Sequence, residues 1–472
     1  MALKDKRGLE ISTANRTSVD RLETATELLN GYFGDPLAAI DRALADDPDF
    51  IMGHCFRAGL AVTSSEKAAE PMLRESVEAV EARWKHTNDR ERRHILAAGA
   101  WLRGDFHRAN NLYGDLTIDY PHDLFALQVA HLTDFLLGQS NLLRDRIARV
   151  LPHWTEDMPG YGYVLGMYAF GLEENADYAR AEDFGRRAVA TNPRDAWAIH
   201  AITHVMEMQG RQADGIAWLT CSAQDWSRDN FFAYHNWWHL SLFHLDLEQN
   251  DRVLQLYDAA IRRPGSGVAM ELVDATALLW RLHLRGLDVG ERWREVADGW
   301  EAMAGDAYYA FNDTHAMMAF VADGRTDAQA RLLAAMEKGA AGNDSNAMMT
   351  REVGLPLARA VQAFGRDDYR NTIALIEPVR PVAHRFGGSH AQRDIVSLTL
   401  IEAAMRACRG NLARALAAER TYQKPVSPFN WRAIARAEKL LGHPVRTEAA
   451  QREAETLKAQ RAPRHAAMRA AA

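Results

Sequence analysis

The chain has 472 residues, 47% of them apolar and 25% charged, with a formal net charge of -7. That apolar share builds a sizeable core, and the acidic balance excludes the basic footprint of a nucleic-acid-binding protein. Three cysteines, Cys55, Cys221 and Cys408, are odd in number and far apart, which excludes a disulfide framework or a CxxC zinc module and suits a reducing cytoplasm.

The opening MALKDKRGLEIST has no apolar run behind its charges, and no stretch of about 18 apolar residues occurs anywhere, so neither export nor membrane spanning is expected. From there the chain repeats helix, short turn, helix. In ELLNGYFGDPLAAIDRALADDPDF, Gly31 and Gly34 precede a turn, Pro36 suits the first turn of a helix, and Asp47-Pro48 stops it. The next unit carries Trp101, Leu102, Gly104, Ala109, Tyr113 and Pro121, types and spacings that resemble the tetratricopeptide motif, where small residues let paired helices approach. A third unit covers Gly166 to Pro193 and a fourth runs from Ala196 to about Leu219, turning at Gly210. Three looser units follow at 238–261, 358–379 and 397–422, with turns expected near 262–268 and 340–348. Strand signals are nearly absent.

Such helix pairs bury their apolar faces only by stacking. The fold expected is therefore all-α, one right-handed α-solenoid over residues 1–448, with a polar cluster at 195–247 in its middle. Residues 449–472 are read as a closing helix followed by a basic, disordered tail.

The central stretch carries the chemistry. His200, His204 and Glu207 fall on one helical stripe, and His235 and His239 on another. If 195–209 and 230–247 are neighbouring helices, up to four imidazoles and a carboxylate meet. A plain interface of mutually hydrogen-bonded histidines is the alternative. Further on, Asp274 stands among apolar residues, Asn312, Asp313 and His315 lie in FNDTHAMMAF, and His390, Gln392, Arg393 and Asp394 in GGSHAQRD. Local structure offers ordinary roles for these: Asn312 or Asp313 capping a helix that begins near Thr314, Ser389 as an N-cap, and Arg393 with Asp394 in surface pairs.

The runs HAITHVMEMQGRQADGIAWL, HNWWHLSLFHLDLE, ELVDATALLWRL with ERW, FNDTHAMMAF, GGSHAQRD and ERTYQKPVSPFNW resemble the tetratricopeptide repeat protein 38 family over roughly residues 20 to 435. The resemblance implies a helical-repeat fold and brings no settled activity with it.

On the sharper reading the polar runs share the concave side of one superhelix. His204, Glu207, His235 and His239 then form a catalytic set, with His200, Trp238, Asp313, His315, His390, Arg393 and Asp394 as binding residues and Trp197 and Trp237 as apolar walls. A His–Glu pair serves as general base and orienter, and an arginine holds an anionic group. Two or three histidines with a carboxylate would instead bind zinc or iron with an open position. No HExxH, GxSxG, P-loop or GxGxxG pattern occurs. Two functions stay open: a module holding a small ligand, peptide or partner protein in its concave groove, and an enzyme of hydrolase or lyase type working on a small polar molecule. Neither nucleic acid nor membrane is an expected partner, and the sequence names no metal, cofactor or oligomeric state.

Overall fold

The computed structural model describes residues 3–461, apart from residue 264 and the side chain of residue 461. Among the described residues the protein is an all-α helical repeat of twenty-six α-helices, and its one sheet is a two-residue antiparallel pairing of Leu3–Lys4 with Glu10–Ile11. The repeat units follow the sequence pattern closely. Asp35 accepts from the backbone N–H of Ala38 to cap the helix Pro36–Asp46, whose proline occupies the first turn. Helices Asp89–Leu102 and Phe106–Asp119 are joined through Gly104, at φ 81°, a left-handed conformation that glycine adopts without strain. Across that turn Trp101 stacks on Phe106 at 4.0 Å, while Ala109 and Tyr113 are fully buried.

Five helices build the interior: α1 (Tyr161–Glu173), α2 (Ala196–Met208), α3 (Ala233–Asp246), α4 (Ala269–Leu284) and α5 (His390–Arg406). The first four are apolar nearly all round, the composition of helices packed on several sides. Helix α2 packs on α1 and α3, α3 on α4, and α4 on α5, so a segment from the end of the chain completes a cluster begun near its middle. Two further helices, α6 (Gly410–Gln423) and α7 (Pro428–Leu440), flank α5.

The array curls until its two halves touch. Tyr309 donates to the Leu136 carbonyl at 2.7 Å, Asn312 to the Ser65 carbonyl at 3.1 Å, and the Ala269 backbone N–H to Glu66 at 3.0 Å. These three polar groups on the inner faces are thus satisfied by the opposite half of the chain.

Several local expectations are corrected. The helix Ala310–Ala322 begins four residues before Thr314, so Asn312 and Asp313 lie inside its first turn and do not cap it. Asn346 caps it from a neighbouring element, accepting from the Ala310 N–H at 2.9 Å. Ser389 does cap α5, in a reciprocal box with Gln392, but Asp394 pairs with Arg420 of α6 and Arg393 turns towards Glu174, so neither makes the surface pair expected of them. The last helix spans Pro444–Arg461, so a division at residue 448 cuts through it; the expected tail from residue 462 lies outside the described residues. No helix among those described is long and apolar enough to cross a membrane.

Candidate functional site

His200 and His204, four residues apart on α2, face His235 and His239, four apart on α3. All four are buried, at 2, 0, 5 and 0% exposure. One ring nitrogen from each lies within 4.8 Å of the others. His235 Nε2 is 3.1 Å from His200 Nε2 and 3.2 Å from His239 Nε2.

Carboxylates hold the outer nitrogens. His235 Nδ1 donates to Asp274 of α4 at 2.6 Å, and His239 Nδ1 to Glu207 of α2 at 3.1 Å. His204 Nδ1 lies 3.2 Å from Glu173, the last residue of α1. The carboxylates are themselves restrained: Gln392 of α5 approaches Asp274 at 3.4 Å, and Lys424 reaches Glu207 at 3.0 Å. Trp238 lies flat on His235 with ring centroids 5.4 Å apart, and the Arg281 guanidinium sits 5.2 Å from the Trp238 ring centre.

Beside this cluster His390 bridges two acids, with Nε2 3.0 Å from Glu173 and Nδ1 3.1 Å from Glu174. Burial disfavours a charged His390, but the two glutamates outweigh it and raise its pKa to about 9. Burial likewise acts to raise the Glu173 carboxyl, and His390 and His204 overcome it, bringing the value to about 2. Among the four clustered rings, burial first and neighbouring imidazoles second hold His200 and His239 well below the usual histidine range. Glu207, despite its burial, is kept well below the usual carboxylate range by Lys424 and His239.

A cavity opens on the far side of Glu207. Its inner lobe, about 60 Å³, is lined by Glu207, Asp246, Arg281, Arg285, Arg420 and Lys424 among others. Arg281, Arg285, Leu398 and Phe429 also line an outer chamber of about 590 Å³, where Arg406 and Arg436 pair with Glu402, and Arg432 and Lys458 pair with Glu248. Charges in the inner lobe do not cancel. Arg420 pairs with Asp394 and Lys424 with Glu207, while Asp246 accepts from Ser427 at 2.5 Å and from Gln212, its carboxyl raised by burial. Arg281 and Arg285 have no carboxylate partner among the described residues: Arg281 donates to the carbonyls of Ala277 at 3.0 Å and Ala391 at 2.8 Å, and Arg285 to that of Leu245 at 2.7 Å. Burial pulls both guanidinium pKa values down, Arg285 to about 10.

The predicted residues therefore divide. His200, His204, Glu207, His235 and His239 converge, Trp238 and His390 adjoin them, and Glu207 and Asp394 line the cavity. None of the four clustered imidazoles lines it. His315 bonds to the Phe311 carbonyl within its own helix, Asp313 is buried with Oδ2 unpartnered, and neither belongs to the cluster. Trp197 packs against His200, whereas Trp237 packs on Trp226. Sequence reasoning missed Glu173, Glu174, Lys424, Arg281 and Arg285. The signal available for Glu173 was a charged pair closing an apolar helix; for Arg281, a charge inside the apolar run of α4.

No family model matches the chain. Among solved structures it is similar to the human IFIT1 dimer with PPP-AAAA, at 11% identity and a TM-score of 0.38 over 92% of this chain and 94% of that one. The human IFIT1 dimer with m7Gppp-AAAA gives 12% identity and a TM-score of 0.39 over the same shares. Likeness at that level carries no argument about the site, and the repeat architecture rests on the chain's own helix pairs.

Proposed function

We propose that this helical-repeat protein binds a small organic anion inside its array, with the anionic head at Arg281 and Arg285 in the inner lobe and the body in the outer chamber. The observation that carries this reading is Arg281, 3% exposed and without a carboxylate partner among the described residues. An isolated buried charge costs several kcal/mol unless an opposite charge joins it, and a carboxylate or phosphate group supplies one bidentately. The small inner lobe, about 60 Å³, favours a small molecule over a peptide, and the three unpaired cysteines suit a reducing, cytoplasmic setting. The resemblance to the tetratricopeptide repeat protein 38 family supports the architecture and adds no ligand.

An acid–base enzyme is the second reading, favoured by Glu207 alone. It is the one member of the predicted catalytic set that lines the cavity, and its carboxylate is held between Lys424 and His239. On this reading Glu207 faces the bound anion from the wall of the inner lobe and takes a proton from it in a hydrolytic or elimination step, although Lys424 and His239, against its burial, hold its carboxyl well below the usual range and so weaken it as a base.

Titration calorimetry and thermal shift with a panel of dicarboxylates and phosphate monoesters test the binding. Saturation by a matching anion should raise the melting temperature, by about 2.7 kcal/mol of stability at a hundredfold excess over Kd. The Arg281→Gln, Arg285→Gln double variant should lose roughly tenfold or more in affinity. Binding unchanged in that variant sinks the assignment.

A further inference from the structure

We infer that His200, His204, His235 and His239 form a binding site for one divalent first-row transition-metal ion of the zinc type, buried behind the cavity and distinct from the anion pocket. A carboxylate only accepts, so the contact to Asp274 puts the proton of His235 on Nδ1, and that to Glu207 does the same for His239. Their Nε2 atoms are then both lone-pair bearers, yet they face one another across 3.2 Å, and His200 Nε2 approaches His235 Nε2 within 3.1 Å. His204 Nε2 is buried and has no hydrogen-bond partner among the described residues. Lone pairs converging in a dry interior repel unless an electron-pair acceptor joins them.

Geometry selects the acceptor. Four nitrogens bound tetrahedrally at ~2.0–2.1 Å lie roughly 3.3–3.4 Å apart, close to the two separations quoted above. A proton shared between two rings leaves the other two unserved, whereas one ion serves all four. The donor set selects the class: imidazole suits zinc, copper, nickel or iron, while calcium and magnesium take oxygen ligands. Asp274 and Glu207 accept from two of the rings as the carboxylate–histidine–metal arrangement requires, fixing ring orientation, and Glu173, 3.2 Å from His204 Nδ1, adds a third negative charge to balance the ion. Four protein ligands at a site from which the cavity is shut off leave no coordination position for a substrate. The ion is therefore structural, tying α2 to α3, and acts on the pocket only through Glu207, which touches both.

The test is metal analysis of the full chain purified without added metal, followed by chelation and titration with Co2+ alone. The expected result is one ion per chain, a fall in melting temperature on chelation, and the intense visible bands of tetrahedral cobalt on titration. Asp274→Asn and Glu173→Gln should weaken retention about 10- to 100-fold. The double variant His204→Ala, His239→Ala should bind no Co2+, while the exposed control His153→Ala binds as the parent does. Wild-type protein that is helical, metal-free and gives only the faint spectrum of hydrated cobalt overturns the inference, and so does full occupancy in the double variant. Because the wild-type spectrum needs no substitution, misfolding of a variant does not rescue the idea. Arg281→Gln, Arg285→Gln should leave the cobalt spectrum unchanged, so the pocket and the metal site fail separately.

Discussion

Asp313 shows what a single buried group contributes. Burial, with Asp306 as a minor contributor, raises its carboxyl to about 8, and Oδ2 has no partner among the described residues. An unfolded aspartate titrates near 3.9, so between about pH 4 and 8 the folded state holds a proton that the unfolded state has lost. Its contribution therefore favours folding at low pH and is progressively withdrawn as pH rises towards 8, on the order of a few kcal/mol in all. Asp313→Asn should flatten the decline, so that the variant's melting temperature gains on the wild type steadily between pH 5 and 8. Parallel curves for the two proteins would contradict this assignment. Residue identity was legible at this scale where helical spacing sufficed, as for the two histidine pairs. The orienting partner was not: Glu207 stands three residues from His204, yet it holds His239, and His204 is served by Glu173, thirty-one positions upstream. Which carboxylate meets which ring depends on how α1, α2 and α3 are rotated against one another, and no local pattern encodes that rotation.

Among the elements, α1 is held most closely at Gly171. A Cβ there would lie 2.4 Å from the Leu143 carbonyl oxygen and 2.6 Å from the Arg144 nitrogen, backbone atoms of the adjacent helix Ser140–Val150. Gly171→Ala should force the two helices apart, costing about 1–3 kcal/mol, despite the better helix propensity of alanine. Denaturant unfolding gives the number; a neutral or stabilising result would show that the pair separates freely. Since Glu173 follows by two residues, the same change should loosen the grip on His204 and His390. Helix pairs were legible in the sequence because turn chemistry and 3.6-residue periodicity are local. The start of the helix Ala310–Ala322 was misread because its cap, Asn346, comes from a segment thirty-six residues away.

For the whole molecule, the contacts between halves alter how the array should unfold. An open repeat array is stabilised by its units and their nearest-neighbour interfaces, so its ends melt separately. Here Tyr309 to Leu136, Asn312 to Ser65 and His390 to Glu174 fasten late elements onto early ones. Tryptophan fluorescence and far-ultraviolet circular dichroism should therefore report one coincident transition. Two separated midpoints would show that the halves unfold independently. An all-α repeat was legible from the sequence; the closure was not, because it depends on curvature accumulated over many units.

That closure also sets an order of events in time. Lys424 reaches Glu207 across 217 positions of chain, and the His390 backbone meets Glu174 across 216. Contacts so distant in sequence form slowly, since the ordering of everything between them precedes any gain. A growing chain carries its four histidines out of the ribosome long before α5 and Lys424 exist to cover Glu173 and steady Glu207. The carboxylates around the histidine cluster are thus completed only by the arrival of the carboxyl-terminal third, and a chain that stops short leaves Glu207 without Lys424 and Glu173 without His390.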